Sequence, residues 1–117
     1  MSAAFKPRVY LEAGCPYSFK FLLFLAETGQ TDRFEIVVCD PDAPDDHERI
    51  KRQLTQTTGR RTTFPTVEIA PGEDMSDSDA LIAHFARERG IAEETLIALA
   101  FYLRSIYPQL LKLHEGH

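Results

Sequence analysis

The sequence predicts an α/β domain built on a β-strand–helix–β-strand unit, and three observations point there. The apolar run Val9-Tyr10-Leu11 stops at Gly14 and gives way to a helix-periodic stretch over residues 16–28. A second apolar run, FEIVV at 34–38, follows soon after Gly29. Strand, helix and strand at this spacing form a parallel pair with a right-handed crossover. The chain length, 117 residues, suits one compact domain with one core over residues 1–117.

Each element has its own signal. The first strand covers residues 8–12, with Val9 and Leu11 on one face and Tyr10 on the other. The helix over 16–28 carries Phe21, Leu22, Phe24 and Leu25 as a wide apolar face, and Gly29 offers a left-handed stop. Residues 34–38 are apolar on both faces apart from Glu35, the pattern of an internal strand covered on two sides. Pro44, with Asp45 and Asp46 in the first turn, begins a polar second helix that ends near Gly59. Only Ile50 and Leu54, with His47, give that helix an inward face. The cluster Asp40, Asp42, Asp45 and Asp46 lacks the glycine and distal glutamate of a calcium loop. It reads as a solvated turn and helix cap, and no metal site is expected.

Residues 66–70 form a strand with Val67 and Ile69 on one face, Pro71-Gly72 turns a hairpin, and a short strand returns near 74–75. Ser76 or Asp77 caps a helix over 78–89, with Leu81, Ile82 and Phe85 inward and Gly90 as the stop. Residues 91–113 add a C-terminal helical extension, one long helix from Glu93 that Pro108 kinks or splits. Its stripe of Leu96, Leu99, Ala100, Leu103, Ile106, Tyr107 and Leu110 is widened by Ile97, Phe101 and Leu111. That is more than one contact face needs, so a homodimer through this helix is expected. His114 and His117, three apart in a frayed tail, read as an incidental pair.

A net charge of −5 and a pI near 5.3 argue against a nucleic-acid footprint. No cationic segment offers a hold on an anionic membrane. The opening MSAAFKPRVY lacks the apolar core of a signal peptide, and the longest apolar run, 21–26, is far short of a bilayer span. Two cysteines without an export signal point to a reducing cytoplasm and to no structural disulfide.

Cys15 is the residue that carries chemistry. It stands between the first strand and a helix that opens with Pro16, a residue suited to the first helical position. A thiol there meets unpaired N–H groups and the positive end of the helix dipole, both of which favour the reactive thiolate. The alternative is an inert, buried cysteine. Cys39 follows the second strand as Cys15 follows the first, but a disulfide needs Cα atoms within about 7 Å. With Asp40-Pro41 leading the chain outward, Cys39 is expected to be a bystander. Pro65 precedes a strand, where a cis peptide bond would set a tight approach and a trans proline would also fit.

Three segments carry a family resemblance. Cys15-Pro16-Tyr17-Ser18 is similar to the glutaredoxin Cys-Pro-Tyr-Cys motif with serine in place of the second cysteine. Thr58-Gly59-Arg60-Arg61-Thr62-Thr63-Phe64-Pro65 looks like the Thr-Gly-x-Arg-Thr-Val-Pro segment of the same proteins with one extra residue. Ser78-Asp79-Ala80-Leu81 resembles the segment that opens the next helix and holds the γ-glutamyl end of glutathione. In order and spacing, residues 8–90 thus resemble the thioredoxin-like superfamily, and within it the glutaredoxins and the N-terminal domains of glutathione S-transferases.

The resemblance implies a thioredoxin-like fold, a four-stranded mixed sheet flanked by helices, with Pro65 in cis opposite Cys15. It implies glutathione as co-substrate, paired along the backbone of Phe64. Ser78 and Asp79 would take the γ-glutamyl group, and Arg60 or Arg61 the glycyl carboxylate, for which a guanidinium is a fitting fork of donors. Three departures bear on activity. Glu12 stands where glutaredoxins carry a lysine, and a carboxylate there opposes thiolate formation. Phe64 replaces a small aliphatic residue. Ser18 removes the resolving thiol, which leaves a monothiol route through a Cys15–glutathione mixed disulfide. The expected function is therefore glutathione-dependent thiol–disulfide exchange on a disulfide or glutathionylated substrate. Transferase-like conjugation, with Cys15, Tyr17 or Ser18 positioning glutathione, is the alternative, and a non-catalytic module that binds a thiol ligand or a protein partner is another.

Overall fold

The computed structural model describes residues 5–115. The first four residues of the opening stretch and His117 of the histidine pair lie outside them. Strand β1 (Arg8–Glu12) leads through Gly14 into helix α1 (Pro16–Glu27), and β2 (Glu35–Cys39) runs parallel to β1. Helix α2 (Pro44–Thr58), strands β3 (Thr66–Ala70) and β4 (Glu73–Ser76), and helix α3 (Ser78–Arg89) follow. The sheet is mixed and four-stranded, in the order β2-β1-β3-β4, with β3 antiparallel to both β1 and β4.

One face of the sheet carries the core. Val9, Leu11 and Val67 meet Phe21, Phe24 and Leu25 of α1 and Leu81, Ile82 and Phe85 of α3, all buried. Phe34 closes this layer, its ring edge-on to Phe85 at 5.1 Å between centroids, a favoured aromatic geometry. The opposite face has a thinner cover: α2 buries Leu54 alone, as its polar sequence implies. Both α2 and α3 stop at a glycine in the left-handed region, Gly59 and Gly90, where a Cβ would be strained.

Two expectations are corrected. Strand β2 is an edge strand rather than an internal one, and Val38 is 60% exposed. Its apolar run describes both faces of the strand and says nothing about neighbours. Strands β1 and β3 take the two inner places, each pairing on both sides. The C-terminal helix also starts later than Glu93, at Ile97, and is helical from there to Glu115. A short 3-10 turn (Glu93–Thr95) and extended Leu96 precede α4 (Ile97–Phe101), a π-helical turn (Tyr102–Ile106) and α5 (Tyr107–Glu115). The π turn lies just ahead of Pro108, whose missing N–H and ring disturb the preceding carbonyls. Leu96, Leu99 and Tyr102 make the buried edge, while Ile97 and Phe101 are 82% and 61% exposed.

Glu27, at the end of α1, decides where α4 begins. Its two carboxylate oxygens accept the backbone N–H groups of Ala98 and Leu99 at 2.7 and 2.8 Å. Those donors have no partner within the helix, so a carboxylate from elsewhere in the fold satisfies both. Glu27→Ala is expected to cost about 1–2 kcal/mol in urea unfolding, with Glu27→Gln intermediate.

Candidate functional site

The end of β1, the start of α1 and the loop before β3 converge on Cys15. Gly14 has a φ of +81°, which lets the chain turn at once from strand to helix. Cys15 then caps α1 in extended conformation, its N–H donating to the Glu12 carbonyl at 3.1 Å. Pro16 takes the first helical position. The thiol is buried, with Sγ 4.0 Å from the carbonyl oxygen of Phe64, and the Phe64–Pro65 peptide is cis.

The other candidate groups are placed unevenly. Ser18 is buried, and its Oγ accepts the Glu12 N–H at 3.0 Å, so the hydroxyl ties α1 to β1. Tyr17 is a neutral phenol, pushed up by burial first and by neighbouring Tyr107 next. Cys39 is buried at the end of β2, opposite Glu12 across the ladder. Its thiol is pushed up to about 11, mainly by burial and then by the Glu12 charge. Both cysteines are free.

A groove of about 430 Å³ runs beside Phe64, walled by Tyr17, Arg60, Thr63, Phe64, Ser76, Asp77 and Ser78. Arg60 also borders a neighbouring depression together with Arg61, Thr58 and Thr62. Asp79 is not among the groove's walls. Its carboxylate holds the buried Lys20 ammonium at 2.7 Å. Lys20 also reaches Tyr107 Oη at 3.2 Å and lies 4.6 Å over that ring. Burial pulls the Lys20 ammonium down, and the bonds to Asp79 and Tyr107 outweigh it, leaving its pKa raised.

Asp77 is a wall residue that sequence reasoning read only as a helix cap. It does cap α3, accepting the Asp79 N–H at 3.1 Å, but at a φ of +81° that few side chains tolerate. Aspartate is among those that do. The alternation Ser76-Asp77-Ser78-Asp79 was the available signal, yet which carboxylate faces the groove depends on that backbone angle. On the far side of Cys15 lies a second cavity of about 380 Å³, lined by Leu11, Phe19, Leu22, Val38 and Leu110 with Glu12 and Cys15.

The model of the glutathione S-transferase N-terminal domain matches residues 10–93. The chain belongs to that family. Solved structures give the same fold. An epsilon-class glutathione S-transferase from housefly, Musca domestica, superposes with a TM-score of 0.58 at 24% identity. It covers 76% of this chain, and the chain covers 38% of it. A glutathione transferase homologue from Sulfitobacter, solved with bound glutathione, gives 0.55 at 16% identity, over 86% of this chain and 49% of its own. The chain thus spans less than half the length of either transferase. No curated protein matches the sequence. Among the described residues, no helix of this transferase-family chain is long and apolar enough to cross a membrane.

Proposed function

We propose that this chain binds glutathione in the groove beside Phe64 and uses Cys15 for monothiol, glutathione-dependent thiol–disulfide exchange. The observation that carries the reading is the Cys15 sulfur at the start of α1, 4.0 Å from the Phe64 carbonyl at the cis peptide. Glutathione would lie along Phe64-Pro65, with its backbone groups on Phe64. Ser78 and Asp77 take the γ-glutamyl end, where α3 also offers unpaired N–H groups. Asp79, exposed in the first turn of α3 while it holds Lys20, stands beside them, and Arg60, with Arg61 next to it, meets a carboxylate of the tripeptide.

The exchange balances without a metal or a second protein thiol. The Cys15 thiolate attacks the glutathionyl sulfur of a glutathionylated substrate. A Cys15–glutathione disulfide forms, and the substrate thiolate leaves and takes a proton from water. A second glutathione thiolate then attacks the glutathionyl sulfur of that mixed disulfide, releasing oxidised glutathione and restoring Cys15. Ser18, bonded to the Glu12 N–H, takes no part, and Cys39 is buried away from the groove.

The apolar cavity against Cys15 favours a second reading, conjugation of glutathione to an apolar electrophile, as its transferase-family membership also suggests. Intact mass after exposure to oxidised glutathione separates the two. A single glutathione adduct that maps to Cys15, with glutathione-dependent reduction of a glutathionylated peptide, is the expected result. Conjugation without an adduct would favour the transferase reading. Glutathione binding with neither activity would make the chain a binding module. In all three cases we propose a cytoplasmic setting and, through the exposed face of α4, a homodimer.

A further inference from the structure

Glu12 stands three residues before Cys15, and a carboxylate there opposes a thiolate. The structure turns that carboxylate onto a partner. Glu12 Oε2 and His47 Nε2 are 2.7 Å apart, and both side chains are largely buried. A ring N–H at Nε2 donates to a carboxylate from the neutral tautomer and the imidazolium alike. His47 comes from the first turn of α2, so the pair also joins that lightly packed helix to β1. On its other side the imidazole lies against Phe64, 6.2 Å between ring centroids and tilted by 30°.

Backbone bonds leave Glu12 little freedom except in its side chain. Its N–H is held by Ser18 Oγ and its carbonyl by the Cys15 N–H. Glu12 also borders the apolar cavity against Cys15, as the single charged residue among the described residues of its wall. Cys39 faces Glu12 across the β1–β2 ladder, and its thiol is pushed up by burial first and by the Glu12 charge next.

We infer that His47 is a positioning residue for the chemistry of Cys15. It holds the Glu12 carboxylate by the 2.7 Å contact and so fixes where that negative charge sits relative to Cys15. The inference rests on the reading of Cys15 as the nucleophile.

The test compares wild type, His47→Ala, His47→Gln, Glu12→Gln and the Glu12→Gln/His47→Ala double variant. Cys15 alkylation by iodoacetamide at neutral pH and glutathione-dependent reduction of a glutathionylated peptide are measured for each, with thermal midpoints alongside. His47→Ala is expected to slow both reactions about fivefold, the scale of one partly screened charge near a thiolate. The double variant is expected to return to within about twofold of Glu12→Gln, because no carboxylate remains to be held. His47→Gln keeps an N–H donor and is expected to retain most of the rate. If His47→Ala does not fold, His47→Leu replaces it, keeping bulk against Phe64 without the donor. Unchanged rates in the single variant, or a double variant as slow as it, would overturn the inference. A wild-type Cys15 inert to both iodoacetamide and oxidised glutathione would instead overturn the reading beneath it.

Discussion

Cys15→Ser is expected to abolish the glutathione adduct and to lower glutathione-dependent reduction by roughly a thousandfold or more, as loss of a covalent nucleophile does. A serine oxygen cannot form the mixed disulfide. The remaining thiol, Cys39, is buried and pushed up to about 11, so little of it is thiolate at neutral pH. Ser18→Ala should leave the chemistry nearly intact and cost about 1 kcal/mol of stability, since its hydroxyl serves the Glu12 N–H. Intact mass after exposure to oxidised glutathione and a coupled reductase assay check both. If Cys15→Ser keeps conjugating glutathione to an electrophile at the wild-type rate, the thiol is not the group that acts. The hydroxyl of Tyr17 then becomes the group to examine.

Tyr102→Ala is expected to cost about 3–5 kcal/mol, the largest stability loss we anticipate outside the sheet core. Tyr102 is fully buried, packs edge-on against Phe19 at 4.9 Å, and donates its hydroxyl to the Pro16 carbonyl at 2.8 Å. It is the peg that holds α4 and the π turn onto α1, one residue from Cys15. Tyr102→Phe keeps the packing and should lose only about 1–2 kcal/mol. The hydroxyl also sets an alkaline limit. Burial, then the neighbouring Tyr107 and Cys15, push it up to about 12 from an ordinary 10.0. The folded state therefore keeps a proton that the unfolded chain gives up. The contribution is fully present below about pH 10 and is lost as pH rises toward about 12, on the order of 2–3 kcal/mol. Urea midpoints across that window should fall more steeply for wild type than for Tyr102→Phe. Parallel curves would mean that the phenol ionises without strain.

The local signals of this chain were strong wherever backbone chemistry alone decides the outcome. Alternation at Val9 and Leu11, proline at the start of α1 and α2, and glycines at 59 and 90 set most element boundaries in advance. That the Cys15-Pro16 and Phe64-Pro65 segments meet is what their family resemblance implies, and Cys15 Sγ does lie 4.0 Å from the Phe64 carbonyl oxygen. What the sequence by itself could not decide is anything that depends on who stands opposite. Strand β2 is as apolar as an internal strand, yet pairing leaves it at the edge. Lys20 is buried because Asp79 and Tyr107 arrive from two other elements to satisfy its ammonium. The C-terminal helix starts only after Leu96, because Glu27, far away along the chain, supplies the cap that starts α4. The same holds at the site. Glu12 read as an obstacle to the thiol, and only the fold brings His47 within 2.7 Å of its carboxylate. Periodicity and turn residues act over a few positions, whereas charge partners and caps are set by contacts between segments that the chain keeps far apart.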